Sequence, residues 1–299
     1  MNADNTIEAV ITSFNQKSMI CEAVESVCRQ TIKPVRILVV DDGSTDEMSV
    51  SILNELESDR GISVPLEVIR QPNGGVSAAR NWGIRRTRSP FVLVLDGDDS
   101  LEPSFLEETS NLLIENPSLI AASSWLHTFG VLKAVVRPSG GDAAAFLSHN
   151  ACPATHLLRR RAFLECGGYD ETMRSGFEDW DFFLNMLEAV PGSSIGIVEK
   201  PLINYRTAPA SSNIKSMEKR LTLMRYIIEK HIRLYRELVT DAVLGIEAIS
   251  MARLYGWETE MTASRSAGRL SGLSEKFLES PSYGDGGMAA AVRIVSPHS

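Results

Sequence analysis

Residues 91–95, Phe-Val-Leu-Val-Leu, form an unbroken apolar run behind Pro90 that ends in three carboxylates, Asp96, Asp98 and Asp99, set around Gly97. Such a run fits a strand covered on both faces, the pattern of a parallel sheet packed between helices. The acids then stand at the strand's C-terminal mouth, where open α/β sheets keep their ligand crevice. Clustered anions there either hold a cation or repel one another at a cost. Asp96 and Asp98 accordingly read as a metal and nucleotide site. The plainer reading is an acidic turn leading into a helix capped near Ser100, with Pro103 in its first turn.

The residues before this run alternate in period. Residues 7–13 read as a first strand, and Ser18 opens a helix with Ile20, Ala23, Val24 and Val27 on its inner face. Residues 35–40 read as a second buried strand, broken by Asp41-Asp42-Gly43-Ser44. Met48, Ile52, Leu53 and Leu56 then keep helical spacing. Residues 66–69 give a third strand, Asn73-Gly74-Gly75 a turn, and Val76, Ala79 and Ile84 a third helix face. Strands that alternate with helices in this way predict a doubly wound parallel sheet with right-handed crossovers.

A chain of 299 residues with 43% hydrophobic content can build a substantial core, as one large domain or a domain with an appendage. Its formal net charge of −8 argues against a general nucleic-acid binder. Cys21, Cys28, Cys152 and Cys166 form no CxxC pair, so reduced, buried thiols are expected. No run reaches the roughly 18–20 apolar residues of a membrane span, and the polar opening is not a secretory signal. The expectation is a soluble, cytoplasmic protein.

Beyond Pro103 the pattern predicts a helix through Leu113, strands at 119–122 and 131–136, and a mobile loop near the site up to Cys152-Pro153. Gly176-Phe177-Glu178-Asp179-Trp180 opens a helix with Trp180, Phe183, Leu184 and Leu187 on one face. Residues 195–198 and 202–205 read as strands of a smaller sheet. From about 216 to 257 the chain is helical, with Lys219, Arg220, Arg225, Lys230, Arg233 and Arg236 among apolar residues. Such a stripe is either a solvated face or a surface that lies on an anionic membrane. The Ser-, Gly- and Pro-rich end is expected to be weakly ordered.

Three acidic turns, at Asp41-Asp42, Asp96–Asp99 and Glu178-Asp179, flank regular elements where functional loops belong. No GxGxxG follows the first strand and no GxxxxGK[ST] occurs, so a diphosphate would need neutralising through a metal. Carboxylates suit Mg²⁺ or Mn²⁺, which completes its shell with water and phosphate oxygens.

Five motifs follow in order: Val10-Ile11-Thr12-Ser13-Phe14-Asn15; Asp41-Asp42-Gly43-Ser44; Asn73-Gly74-Gly75 with Ala79-Arg80-Asn81; Asp96-Gly97-Asp98-Asp99; and Glu178-Asp179. Together with Gly167-Gly168-Tyr169-Asp170, this series resembles the family-2 glycosyltransferases over roughly residues 7–212. The resemblance implies an α/β GT-A fold: a mostly parallel central sheet flanked by helices, a smaller acceptor-side sheet and a helical C-terminal extension. It divides the chain into a catalytic domain at 1–214, a helical extension at 215–270 and a tail at 271–299. Within the catalytic domain, 1–100 is the nucleotide-sugar half and 101–214 the acceptor half.

By the same resemblance, Thr12 and Phe14 line the base pocket, Asp41 bonds the base and Arg80 approaches the nucleotide or its phosphates. Asp96 meets the ribose or sugar, Asp98 holds Mn²⁺ or Mg²⁺, and Asp99 supports donor or metal. Asp179 matches the general base of inverting members, beside Glu178 toward donor or acceptor hydroxyls. The implied partners are a nucleoside-diphosphate sugar and a glycan, lipid-linked or small-molecule acceptor; separately, the basic helices would add peripheral membrane contact if their stripe is a membrane surface and not a solvated face. Each residue also has a plain structural reading. Asp179 favours a helix N-terminus by ~0.3–1 kcal/mol, Asp41 caps a turn, Phe14 is a core aromatic and Arg80 a surface helix residue. Trp180 reads as packing more than as a sugar platform.

One position departs from the family pattern. Many members carry a His where this chain has Ala208, in Tyr205-Arg206-Thr207-Ala208-Pro209, which leaves metal coordination either to Asp98, the diphosphate and water alone or to another side chain that substitutes. Two rivals stand beside transfer: a nucleotidyltransferase, whose Gly-rich loop after the first strand is missing, and a binding module without catalysis.

Overall fold

The computed structural model describes residues 5–59, 61–209, 212–266 and 275–296. The first half alternates as the periodicity predicts: β1 (Ile7–Ser13), α1 (Met19–Cys28), β2 (Arg36–Asp41), α2 (Glu47–Ser58), β3 (Leu66–Arg70), α3 (Val76–Arg86) and β4 (Phe91–Asp96). These strands pair in parallel in the order β3-β2-β1-β4. The β4 residues Val92–Leu95 are wholly buried because helices cover both faces of the sheet. Alternate residues serve opposite cores: Ala9 and Ile11 face α1, while Val10 packs toward α3. In α2, Leu53 is buried but Met48 is exposed; the helix is anchored at its start, where the Asp46 carboxylate accepts from the Ser49 N–H at 3.0 Å.

The second half runs β5 (Ser100–Leu101), α4 (Phe105–Glu115), β6 (Leu119–Gly130), β7 (Ala134–Val136), β8 (His156–Arg159), α5 (Arg160–Cys166), α6 (Glu178–Ala189) and β9 (Ser194–Thr207). It departs from expectation in several places, among them β6, which runs on to Gly130, and β7, which is shorter than the expected 131–136. Four-residue β8, which the pattern did not predict, lies antiparallel between β4 and β6 and stitches the halves into one mixed sheet. The strands expected in a separate smaller sheet therefore extend the central one. The runs at 195–198 and 202–205 are one strand, β9, because Pro201 falls where the register against β6 shifts and its missing N–H costs no ladder bond. The expected mobile loop before Pro153 is anchored instead: it makes a 3-10 turn at Ala143–Phe146, and Phe146 and Leu147 are fully buried.

The C-terminal region comprises α7 (Ser212–Glu218), α8 (Arg220–Lys230), α9 (Ile232–Glu237), α10 (Val239–Ser266), α11 (Glu275–Glu279) and α12 (Gly287–Val295). In place of the weakly ordered tail expected after residue 270, residues 275–296 carry α11 and α12. Met288, Ala289, Ala291 and Val292 form an apolar helical face that enters the main core beside α1 and α4 residues. Residues 271–274 and 297–299 lie outside the described residues. No helix among the described residues is long and apolar enough to cross a membrane. The four cysteines are unpaired; Cys152 is buried as expected, but Cys21 is exposed.

Candidate active site

The parallel strands deliver their last residues to one edge of the sheet. Thr12 lies near the end of β1, Asp41 ends β2 and Asp96 ends β4, and the register aligns Thr12 with Asp96. The Thr12 hydroxyl donates to Asp96 Oδ1 at 3.0 Å. Gly97 follows because no side chain fits there: a Cβ would stand 2.6 Å from the Thr12 carbonyl oxygen. Phe14 is 47% exposed just beyond β1, so it is not the core aromatic of the plain reading.

A cavity of about 560 Å³ opens at this edge, lined by Arg80, Asp96, Asp99, Glu178, Asp179 and Tyr205 among others. Arg80 is its centre. The side chain is 1% exposed; Nη2 donates to both Asp96 oxygens at 2.8 and 2.9 Å, and Nη1 donates to Asp179 Oδ1 at 2.6 Å. Glu178 Oε1 stands 3.6 Å from the same Nη1. The guanidinium thus spends its fork on bringing the acids of β4 and α6 together. The family resemblance places it toward the nucleotide or its phosphates.

One buried cation does not balance the acids around it. Burial pushes Asp179 above the usual carboxylate range, and Glu178 and Asp96 push it further, against the pull of Arg80. Asp98 is pushed up to about 6, chiefly by burial and then by Asp96. Burial and the neighbouring Asp98 hold Asp99 well above its ordinary value. Asp98 has no salt-bridge partner among the described residues, whereas Asp99 accepts from the Arg206 N–H at 2.9 Å. Among the described residues no three His, Cys, Asp or Glu side chains form a ready-made metal cage. The hard carboxylate oxygens at Asp96–Asp99, short of positive charge, suit a divalent cation that draws most ligands from phosphate and water.

The first acidic turn divides its labour. Asp41 Oδ1 accepts from Ser44 N at 3.1 Å, and Ser44 Oγ accepts from Asn15 N at 2.9 Å, which ties the Phe14 loop to β2. Asp42 accepts from Gly74 N and Gly75 N at 2.7 and 2.8 Å, so it builds the turn before α3. Thr12, Phe14, Asp41 and Asp98 are not in the cavity lining; they sit on the strand-end side of it. Trp180 is a packing residue whose Nε1 donates to the Phe146 carbonyl at 2.6 Å, although its ring also lines the cavity.

Two contributors escaped the sequence reading. Arg206 binds the acidic turn by donating from its N–H to Asp99 and from Nε to the Asp98 carbonyl at 3.0 Å. Ala208, two residues on, is exposed just past β9. The C-terminal segment supplies a cavity wall through Tyr283, Gly284, Gly286, Met288 and Ala289. Tyr283 Oη donates to the Cys152 carbonyl at 3.3 Å and Arg220 Nη1 to the Gly284 carbonyl at 3.1 Å. Gly284 has φ +74°, and a Cβ there would lie 2.0 Å from the Asn150 carbonyl oxygen. Nothing in the local sequence points across the roughly hundred residues that separate this wall from the α6 acids.

The family model described as "Glycosyl transferase family 2" matches residues 8–178. An uncharacterized glycosyltransferase of Haemophilus influenzae is 25% identical over 61% of this chain, and glycosyltransferase GlyA of Streptococcus pneumoniae is 24% identical over 84% of it. The aligned regions span 62% and 40% of those relatives' own lengths. The fold is similar to that of S. aureus TarS in complex with UDP-GlcNAc, with a TM-score of 0.60 at 15% identity, over 79% of this chain and 72% of that one.

Proposed function

The chain belongs to glycosyltransferase family 2, and from that premise we propose that it moves a sugar from a nucleoside-diphosphate donor to an acceptor hydroxyl with inversion at the anomeric carbon. The observation that carries this reading is the Arg80 bridge, which sets Asp179 beside Asp96 in one cavity. Asp96 anchors the donor's ribose or sugar, and Asp179, with its raised proton affinity, takes the proton of the acceptor hydroxyl as that oxygen attacks. Glu178 orients the hydroxyls around it. A uridine diphosphate donor is supported by the likeness to TarS, whose complex holds UDP-GlcNAc.

Thr12, Phe14 and Asp41 form the base side of the donor site, where half-exposed Phe14 offers a ring for stacking. Asp98 would hold Mn²⁺ or Mg²⁺ and Asp99 would steady it; the ion, when bound, supplies charge that stabilises the departing diphosphate. Ala208 withholds a further ligand, so the site relies on Asp98 and the substrate. The acceptor is a hydroxyl of a glycan, a lipid-linked sugar or a small molecule. Peripheral membrane contact is supported by exposed Leu221 between the basic residues Arg220 and Arg225 of α8; flotation with anionic vesicles tests it, and failure to float removes it.

The test of the transfer is the anomeric configuration of the product, read by NMR. Inversion is expected, and a retained configuration excludes Asp179 as a base in a single displacement.

A further inference from the structure

The helix that carries Glu178 and Asp179 is gripped from two sides. Its first turn has no side-chain cap, and its N-cap residue Phe177 adopts φ +67°, a left-handed conformation that costs a bulky residue energy. Asp179 turns toward Arg80 and the cavity. Asp181, two residues on and so about 200° around the helix, turns the other way and is completely buried.

Behind the helix stands His231, 1% exposed, at the junction of α8 and α9. Its Nε2 lies 3.1 Å from Asp181 Oδ1 and its Nδ1 lies 2.5 Å from Glu188 Oε2. Asp181 and Glu188 are seven residues apart on one face of α6, two turns of helix spanned by a single ring. Lys230 Nζ adds bonds of 2.8 Å to Asp181 Oδ2 and to Asp170 Oδ2. The neutral ring has only one N–H, whereas two carboxylates that only accept require two.

We propose that His231 is a positioning residue for the transfer reaction: by bonding Asp181 and Glu188 at once, it fixes the first turn of α6 so that Asp179 meets the acceptor hydroxyl. The proposal rests on Asp179 being the base. It gives the helical extension a part in catalysis, since α8 and α9 hold from behind what Arg80 holds from the front.

The charged groups around the ring are Asp181 and Glu188 on α6, Lys230 on α8 and, through Lys230, Asp170 before α6; Arg233 and Glu237 on α9 pair with each other in solvent. Burial opposes the charged ring, but the bonds to Asp181 and Glu188 outweigh it and raise its proton affinity. The doubly bonded state is therefore complete below pH ~6.5, the ordinary value for His. It is lost as pH rises through the raised value, when one carboxylate loses its donor.

The experiment is the kcat–pH profile, with donor affinity by calorimetry, of the wild type, His231→Gln and Glu188→Gln. Wild type should show an alkaline decline in kcat. His231→Gln should lose that decline and fall at least tenfold in kcat at pH 7, with donor Kd within twofold. Glu188→Gln, a milder change at a partly exposed side chain, should move the decline to lower pH. Unchanged profiles in both variants, or equal losses in kcat and donor affinity, overturn the proposal. Asp179→Asn separates the two ideas: full activity in that variant removes the base, whereas an inactive Asp179→Asn with unmoved His231 and Glu188 profiles removes only the clamp.

Discussion

Arg80 shows how far a residue's neighbours redefine it. In sequence it is a basic position on a helix; in the structure it is a buried fork between Asp96 and Asp179. Replacing it with Met leaves those acids and Glu178 unpaired in a confined space, which for a buried pair costs about 3–5 kcal/mol. A lower melting temperature and no detectable transfer are expected, and a stable, active Arg80→Met protein would contradict the bridge. Asp179→Asn should keep the donor bound while lowering kcat by ~10²–10⁴-fold, the usual worth of a general base. Asp98 gives the pH dependence. Its carboxyl is pushed up to about 6, so it is ionised above that pH and protonates as pH falls through it. Mn²⁺ should therefore activate, and raise the melting temperature, more at pH 7.5 than at pH 5. Equal effects at both would separate the metal from Asp98. The acids themselves were legible in the sequence because Asp41 and Asp96 end apolar runs at turns, while Glu178 and Asp179 open a helix just after Gly176. Their pairing through Arg80 was not, since it joins residues 99 positions apart.

At the scale of elements, legibility followed length and period. Residues 91–95 were readable because a buried parallel strand leaves a continuous apolar run, residues 7–13 because Ala9-Val10-Ile11 forms a short apolar core between polar ends, and α6 because Trp180, Phe183, Leu184 and Leu187 repeat at helical spacing. Four-residue β8 carries too few residues to show a period, although it joins the halves of the sheet. The C-terminal segment misled by composition: Pro281, Gly284, Gly286 and Gly287 read as disorder but serve as a turn that admits α12 to the core. Truncation after residue 274 should lower the melting temperature and weaken acceptor binding, because it removes both core side chains and a cavity wall. Thermal melting and acceptor KM check this, and a truncated protein that matches the full chain in both would show the wall to be idle.

For the whole molecule, one mixed sheet places the strand-end acids of the first half against the α6 acids of the second, and the C-terminal helices close the cavity and brace α6. The ordered motifs announced the two halves of the site; the contribution of the C-terminal helices depended on contacts over long sequence separations that no local pattern encodes. Calorimetric titration of UDP into wild type, Asp98→Ala and Asp179→Asn, each with and without Mn²⁺, examines this arrangement as a unit. Binding should require Mn²⁺ in the wild type, survive in Asp179→Asn and be lost in Asp98→Ala. No binding of UDP or any other nucleoside diphosphate with metal present, or undiminished binding by Asp98→Ala, would contradict a metal-bridged donor site at the mouth of β4.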